Sequence, residues 1–323
     1  MKSKVQLILK VIVSTALIVY LLSGTDYSAV YHSLLSAKPV YLFVAFITLL
    51  IGKILTGYRW QILLASQEIH ISLRSLIASL FVGQFFNSFL PTTIGGDAIR
   101  AYDTAVASNE SVKSVTTVFM DRLIGLLALV LLAVLALPIA YIMGEKVNYY
   151  LIPVLILFLL CLAGLLIVLN NSLTMKLANA LQSMGLSRIA DQVWKIYTSI
   201  QEMRSDTRIL WIAFGVSILL QINVVIFHYL ISLSLNLDVP IIYYFIIVPI
   251  ALTILIVPFS INGIGIRESI FVYLLAGLGV PSSDAIALSL LSFILLLTQA
   301  VIGGIIFALR GVHISEFTTK QAG

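Results

Sequence analysis

Few residues in this chain can do polar chemistry, and they gather in three places. Gly95, Gly96, Asp97 and Arg100 form one group, Gly263, Gly265, Arg267 and Glu268 a second, and the adjacent pair Asp121 and Arg122 a third. In the first, Pro91 ends one half-helix, Gly95 and Gly96 allow a sharp reversal, and Asp97 suits the N-cap of a second half-helix. The freed amides and the positive end of the new helix dipole would then attract an anion. Arg100, one turn further on, can reach back to the same point. The second group supplies Gly263, Gly265 and Arg267 from the opposite side, with Glu268 adjacent. Asp121 and Arg122 stand where a hydrophobic run begins near Leu123, and suit either an interfacial ion pair or a cytoplasmic gate.

The first two groups align without a gap. Residues 90–100, LPTTIGGDAIR, and 257–267, VPFSINGIGIR, bring Pro91 onto Pro258, Ile94 onto Ile261, Gly96 onto Gly263 and Arg100 onto Arg267. An arginine at bilayer depth costs about 2.5–3.5 kcal/mol on insertion scales, so intramembrane arginines face a partner or an aqueous cavity. Paired Gly/Pro-broken segments in two halves of a transporter mark a substrate site near the midplane. On that reading both arginines hold a phosphate headgroup. If the hairpins are shallow, Arg100 and Arg267 simply snorkel to headgroups and the glycines are turn residues.

The elements that position these residues follow from composition. Of 323 residues 60% are hydrophobic and 10% charged, and the mean hydropathy is +1.10, which identifies an all-α polytopic membrane protein. Apolar runs cover about 5–23, 40–57, 75–90, 123–143, 149–169, 209–235, 241–257, 266–280 and 286–309. Those of roughly 20 residues can cross a core about 30 Å thick, and those ending at Leu90, Val257 and Val280 are shorter. The runs do not alternate apolar with polar, which excludes a barrel. The first contains Lys10 and lacks a cleavage site, so it is read as a retained helix.

Orientation is read from Lys and Arg, which favour cytoplasmic loops. With the N-terminus inside and the two broken segments each returning to the side they left, thirteen basic residues, Arg59 among them, fall inside, and Lys38 and Lys146 outside. This predicts six full spans plus two re-entrant helical hairpins in an inverted-topology repeat, with halves at about 40–143 and 209–309. One transmembrane domain, 1–323, then lies in the cell (inner) membrane with both termini cytoplasmic. The polar stretch 170–208 carries apolar residues at spacings of three and four around Gly185, and is expected to form two amphipathic helices on the cytoplasmic surface.

Other chemistries find little support. No P-loop, HExxH or paired Cys/His pattern occurs, so no cofactor or metal is expected, and no nucleic-acid partner. The single cysteine, Cys161, permits no disulfide within the chain. Gln221, Asn223 and His228 interrupt the run 209–235 and suit interhelical hydrogen bonds or a proton relay. Lys53, placed near the end of its span, is read as snorkelling.

PTTIGGDAIRAY (91–102), VFMDRLIGLLAL (118–129) and PFSINGIGIRESIFVYLL (258–275) resemble the flippase-like family that forms the transmembrane region of lysylphosphatidylglycerol synthases. The likeness is carried by Gly-Gly-Asp-x-x-Arg at 95–100, by Asp121 and Arg122, and by Gly-x-Gly-x-Arg-Glu at 263–268. Asn262 stands where that family usually shows glycine. In the bifunctional relatives a soluble C-terminal domain transfers lysine from aminoacyl-tRNA to phosphatidylglycerol, and the membrane region moves the product. With the sequence ending at Gly323, the resemblance implies the lipid-handling half: a flippase for a phospholipid or lipid-linked precursor. The alternatives are a membrane subunit or remnant of a lipid-modifying enzyme such as a phosphatidylglycerol lysyltransferase, and a scaffold for a separate synthase.

Overall fold

The computed structural model describes residues 26–89, 95–203, 207–256 and 263–320. Among them the chain forms twelve helices and no strand. The expected first span, 5–23, and the motif residues Pro91, Thr93, Ile94, Pro258, Ser260, Ile261 and Asn262 lie outside the described residues.

Helix α1 (Tyr27–Ser36) is not evident from hydropathy. Asp26 starts it: its Oδ1 accepts from the amides of Ser28 and Ala29 at 2.9 and 3.2 Å, meeting two of the donors that a helix start leaves open. Helix α2 (Pro39–Ala65) follows, with proline at its first position, where no amide is needed. The Lys38 amide donates to the Ser234 carbonyl at 2.9 Å. Then come α3 (Leu73–Phe89), α4 (Gly95–Ser108), α5 (Ser111–Ile142), α6 (Asn148–Leu169), α7 (Asn171–Ser183), α8 (Ser187–Met203), α9 (Thr207–Ser234), α10 (Ile241–Ile256), α11 (Ile266–Ala276) and α12 (Ser282–Lys320).

Five of these, α2, α5, α6, α9 and α12, contain a stretch long and apolar enough to cross a membrane. At 1.5 Å per residue α3 and α4 extend about 26 and 21 Å, and α10 and α11 about 24 and 17 Å, all below a core of about 30 Å. At each of the two places where the sequence motifs interrupt the hydrophobic runs, a consecutive pair of short helices therefore occurs.

Two boundaries differ from the hydropathy reading for one reason. Helix α2 continues past Gly57 to Ala65, and α5 begins at Ser111, well before Leu123. A charged side chain ends a run only when its charge must reach water. Arg59 and Asp121 are buried and paired with each other, so both helices pass through them. The extension places Lys53 near the middle of α2, which corrects its reading as a residue at the interface, and makes Asp121 an interior residue of α5, not its opening one.

Helices α7 and α8 break at Gly185, which has φ +75°. Met184 and Ile189 are exposed, whereas Ile200 and Met203 of α8 are closed against Leu63 of α2, Met120 and Ile124 of α5 and Ala213 of α9. Ser199 and Gln67 lock this contact with hydrogen bonds of 3.1 and 3.4 Å.

The core forms around the pairing of α2 with α9. Helix α10 is apolar on every side, and Tyr243, Tyr244, Ile246, Ile247 and Val248 are buried within it. Helix α3 lies against α12, and α10 against α5. The first of these contacts needs glycine: a Cβ on Gly303 would collide with the Phe81 carbonyl, and one on Gly304 would come within 2.9 Å of the Phe85 ring. Overpacking a tight site costs about 1–3 kcal/mol. Gly303→Val should accordingly lower the detergent-solubilised melting temperature clearly, whereas Gly215→Ala, where a Cβ meets nothing within 4 Å, should leave it unchanged or raised; equal melting temperatures would refute the close approach.

Candidate functional site

The polar residues form two clusters. The first is an ion-pair ladder across three helices, hydrogen-bonded to a fourth. Consecutive residues on a helix point about 100° apart, so α5 sends Asp121 into the bundle and Arg122 to its edge. Asp121 Oδ1 accepts from Arg59 Nε at 2.6 Å and its Oδ2 from Arg100 Nη2 at 2.9 Å. Arg59 also donates to Ser217 Oγ of α9 at 2.9 Å. Arg100 lies 4.3 Å from the Trp60 ring centre, a cation–π contact, and reaches Asp97 Oδ1 at 3.4 Å. Arg122 grips Asp97 with Nε and Nη2, at 2.9 and 3.1 Å.

Burial grades along this ladder. Asp121 is 1% exposed, Arg59 and Arg100 5% each, while the Arg122 side chain is 53% exposed. Gly125, one turn beyond Asp121, makes room for the guanidinium, since a Cβ there would sit 3.0 Å from Arg59 Nη1. Asp97 lies inside the first turn of α4, whose described part begins at Gly95. It serves as a carboxylate partner for two arginines, which corrects its reading as an N-cap.

The second cluster surrounds a cavity of about 370 Å³ bounded by α2, α9, α10, α11 and α12. Lys53, Gln221, Asn223, His228, Arg267, Ser292 and Gln299 supply its polar wall, and leucines with Phe227 and Phe271 its apolar one. Lys53 Nζ donates to Gln84 Oε1 at 3.1 Å. Gln221 Nε2 donates to the Gly125 carbonyl at 3.0 Å, so the two clusters meet at α5. His228 is held by its Nδ1, 2.9 Å from the Val224 carbonyl, and its ring stacks on Phe271. Arg267 lies 4.6 Å from the Phe293 ring centre. Gly263, at φ +74°, lets the chain turn beside that guanidinium, where a Cβ would meet Leu255 at 3.0 Å and Arg267 Nη2 at 3.4 Å.

One amide at each half-helix start is engaged from within the protein. The Gly96 amide donates to Asn87 Oδ1 at 2.6 Å, and Gly96 has no room for a side chain against the Gly83 carbonyl. The Gly265 amide, at φ +84°, donates to Glu268 Oε2 at 2.7 Å, whose Oε1 accepts from Ser289 Oγ at 3.2 Å. Glu268 thus folds back as a cap, so that neither of these two amides is open to an anion.

Of the sequence candidates, Asp97, Arg100, Asp121 and Arg122 come together in the ladder, and Gly263 and Arg267 on the cavity. Arg100 does not line the cavity that holds Arg267. Gly95 opens the described part of α4. Lys53 and Arg59 carry roles the sequence reading gave to neither. For Lys53 a signal exists: Lys53, Thr56 and Trp60 recur at helical spacing across the supposed end of the span.

Removing one member of a buried ion pair costs about 3–5 kcal/mol, whereas exposed pairs contribute about 0–1 kcal/mol. Asp121→Ala is expected to lower thermal stability far more than Arg122→Ala, with Asp121→Asn between them. Unfolding curves of the three variants in one detergent decide this, and equal losses for Asp121→Ala and Arg122→Ala would contradict the ladder.

A search of curated proteins returns no match. The sequence profile of the lysylphosphatidylglycerol synthase TM region matches residues 7–304, a stretch that includes all three motifs, the ion-pair ladder and the cavity. The chain belongs to the lysylphosphatidylglycerol synthase TM region family.

Proposed function

We propose that this protein moves a phosphate-bearing lipid between membrane leaflets, the headgroup entering the cavity beside Lys53 and Arg267 while the acyl chains stay in the bilayer. The observation that carries the reading is two basic side chains on one cavity bounded by helices from both proposed halves. Membership of a family related to phospholipid handling supports a lipid as the partner.

Packing supports a two-fold repeat, which the Lys/Arg count orients as inverted. Under the motif alignment α2 corresponds to α9, α3 to α10, α4 to α11 and α5 to α12. The corresponding helices α2 and α9 lie together, and the hairpin helix of each half packs on the last helix of the other, α3 on α12 and α10 on α5. That reciprocal exchange is what a two-fold axis between the halves requires. In this reading the N- and C-termini face the cytoplasm, as the Lys/Arg distribution favours.

The roles of the two motif arginines divide. Arg100 latches the first hairpin to α5 through Asp121, and Arg267 contacts the ligand. The carboxylates that an enzyme would draw on are engaged: Asp121 holds two arginines, Asp97 holds Arg122 and Arg100, and Glu268 caps α11. This favours movement without chemical change over lipid modification at this site.

The test is a leaflet-resolved translocation assay in proteoliposomes of purified protein. A charge-assisted hydrogen bond contributes about 1.5–3 kcal/mol, so losing one costs about tenfold or more. Arg267→Ala should slow translocation by at least that factor at matched insertion. Arg267→Lys, keeping the charge without the planar fork, should fall between the two. Wild-type rates in Arg267→Ala would overturn the assignment.

A further inference from the structure

We infer that the cavity selects a phosphate ester bearing neutral hydroxyl groups and disfavours headgroups that carry an ammonium. The inference rests on the proposed lipid reading for the source of its ligand, and on the side chains themselves for its chemistry.

The donors come first. Lys53 brings up to three N–H bonds, of which Gln84 takes one, and Arg267 adds a guanidinium. Gln299 is 1% exposed and lines the same cavity, and its Nε2 has no hydrogen-bond partner among the described residues. A buried amide donor of this kind calls for an acceptor. Phosphate oxygens answer all three groups and oppose the charge of the two basic ones, whereas an ammonium adds a positive charge beside them.

The acceptors complete the match. Thr56 spends its hydroxyl proton on the Gly52 carbonyl at 2.8 Å, and Ser292 spends its own on the Leu288 carbonyl at 2.8 Å. Each therefore offers oxygen lone pairs to the cavity, which a ligand's hydroxyl groups can use without bringing a positive charge beside Lys53 and Arg267. None of the described residues that line the cavity is Asp or Glu, and residues 257–262 contain none in sequence. An ammonium brought here would meet two basic side chains with no lining carboxylate to oppose them. A volume of about 370 Å³ lies at the lower end of small-molecule sites, fitting a headgroup and not acyl chains. These features disfavour the aminoacylated lipid that the family resemblance implies as cargo.

The test measures binding by the full chain, without movement. Solubilised protein is offered phosphatidylglycerol, phosphatidylinositol, phosphatidic acid and phosphatidylethanolamine, and the retained lipid is read by native mass spectrometry. Phosphatidylglycerol and phosphatidylinositol should bind at least tenfold more tightly than phosphatidylethanolamine, with phosphatidic acid between them. Gln299→Leu, at an unchanged melting temperature, should weaken phosphatidylglycerol several-fold. If Gln299→Leu unfolds the protein, Ser292→Ala supplies the same comparison. Glycerol 3-phosphate separates the sources: competition by it identifies the polyol phosphate alone as the recognised unit, and lipid binding that it cannot displace identifies the membrane lipid. Phosphatidylethanolamine binding as tightly as phosphatidylglycerol would overturn the inference. Selective binding in a protein that moves no lipid would refute the transport reading and leave this one standing, whereas lipid movement without headgroup preference would do the reverse.

Discussion

One carboxylate, that of Asp121, sets the geometry of the first half of this protein. Its two oxygens hold Arg59 of α2 and Arg100 of α4, and a charge so deeply buried is tolerable only because both are occupied. The pairing lets α2 run on to Ala65 and lets α5 begin far upstream of its hydrophobic stretch. Through the length of α2 it also fixes Lys53 at the depth of the cavity. Gly125, which clears space for Arg59, gives its carbonyl to Gln221 of the cavity wall, so the ladder and the cavity share a helix and a residue.

Backbone chemistry at the broken segments supports the same division of labour. A half-helix that starts inside a membrane protein must satisfy its own amides or recruit a ligand to do so. Here Asn87 serves Gly96 and Glu268 serves Gly265. Those two donors are engaged inside the protein, and among the side chains that line the cavity Arg267 and Lys53 carry charge. The glycines serve a steric purpose. Gly96 clears the Gly83 carbonyl, and Gly303 clears that of Phe81, which brings α3 against both α4 and α12.

Much of this was legible in the sequence. Hydropathy located every long helix among the described residues, the paired motifs located the four short ones, and Gly185 marked the break between α7 and α8. What escaped depended on contacts between residues distant in the chain. Arg59 and Asp121 read as helix ends because a one-dimensional scan prices a charge alone, and they lie 62 positions apart. Arg100 and Arg267 correspond in sequence but meet different surroundings, since Asp121 stands beside one and an open cavity beside the other. Gln299 carried no signal at all, being one amide in an apolar run, and only the packing of α12 against the cavity gives it significance. Helix α1 depends on the cap from Asp26 more than on periodicity, which a hydropathy scan cannot register.

The central claim is that a phosphate headgroup occupies the cavity beside Lys53 and Arg267. Photocrosslinking in vesicles, with a phospholipid carrying a photoreactive group on its headgroup and residue-level mass spectrometry of the adducts, measures this most directly. The account predicts adducts on cavity residues such as Phe271, Leu252 and Leu220, lost in Arg267→Ala. Adducts confined to outward-facing residues such as Ile54 and Leu160, unchanged by that substitution, would contradict it.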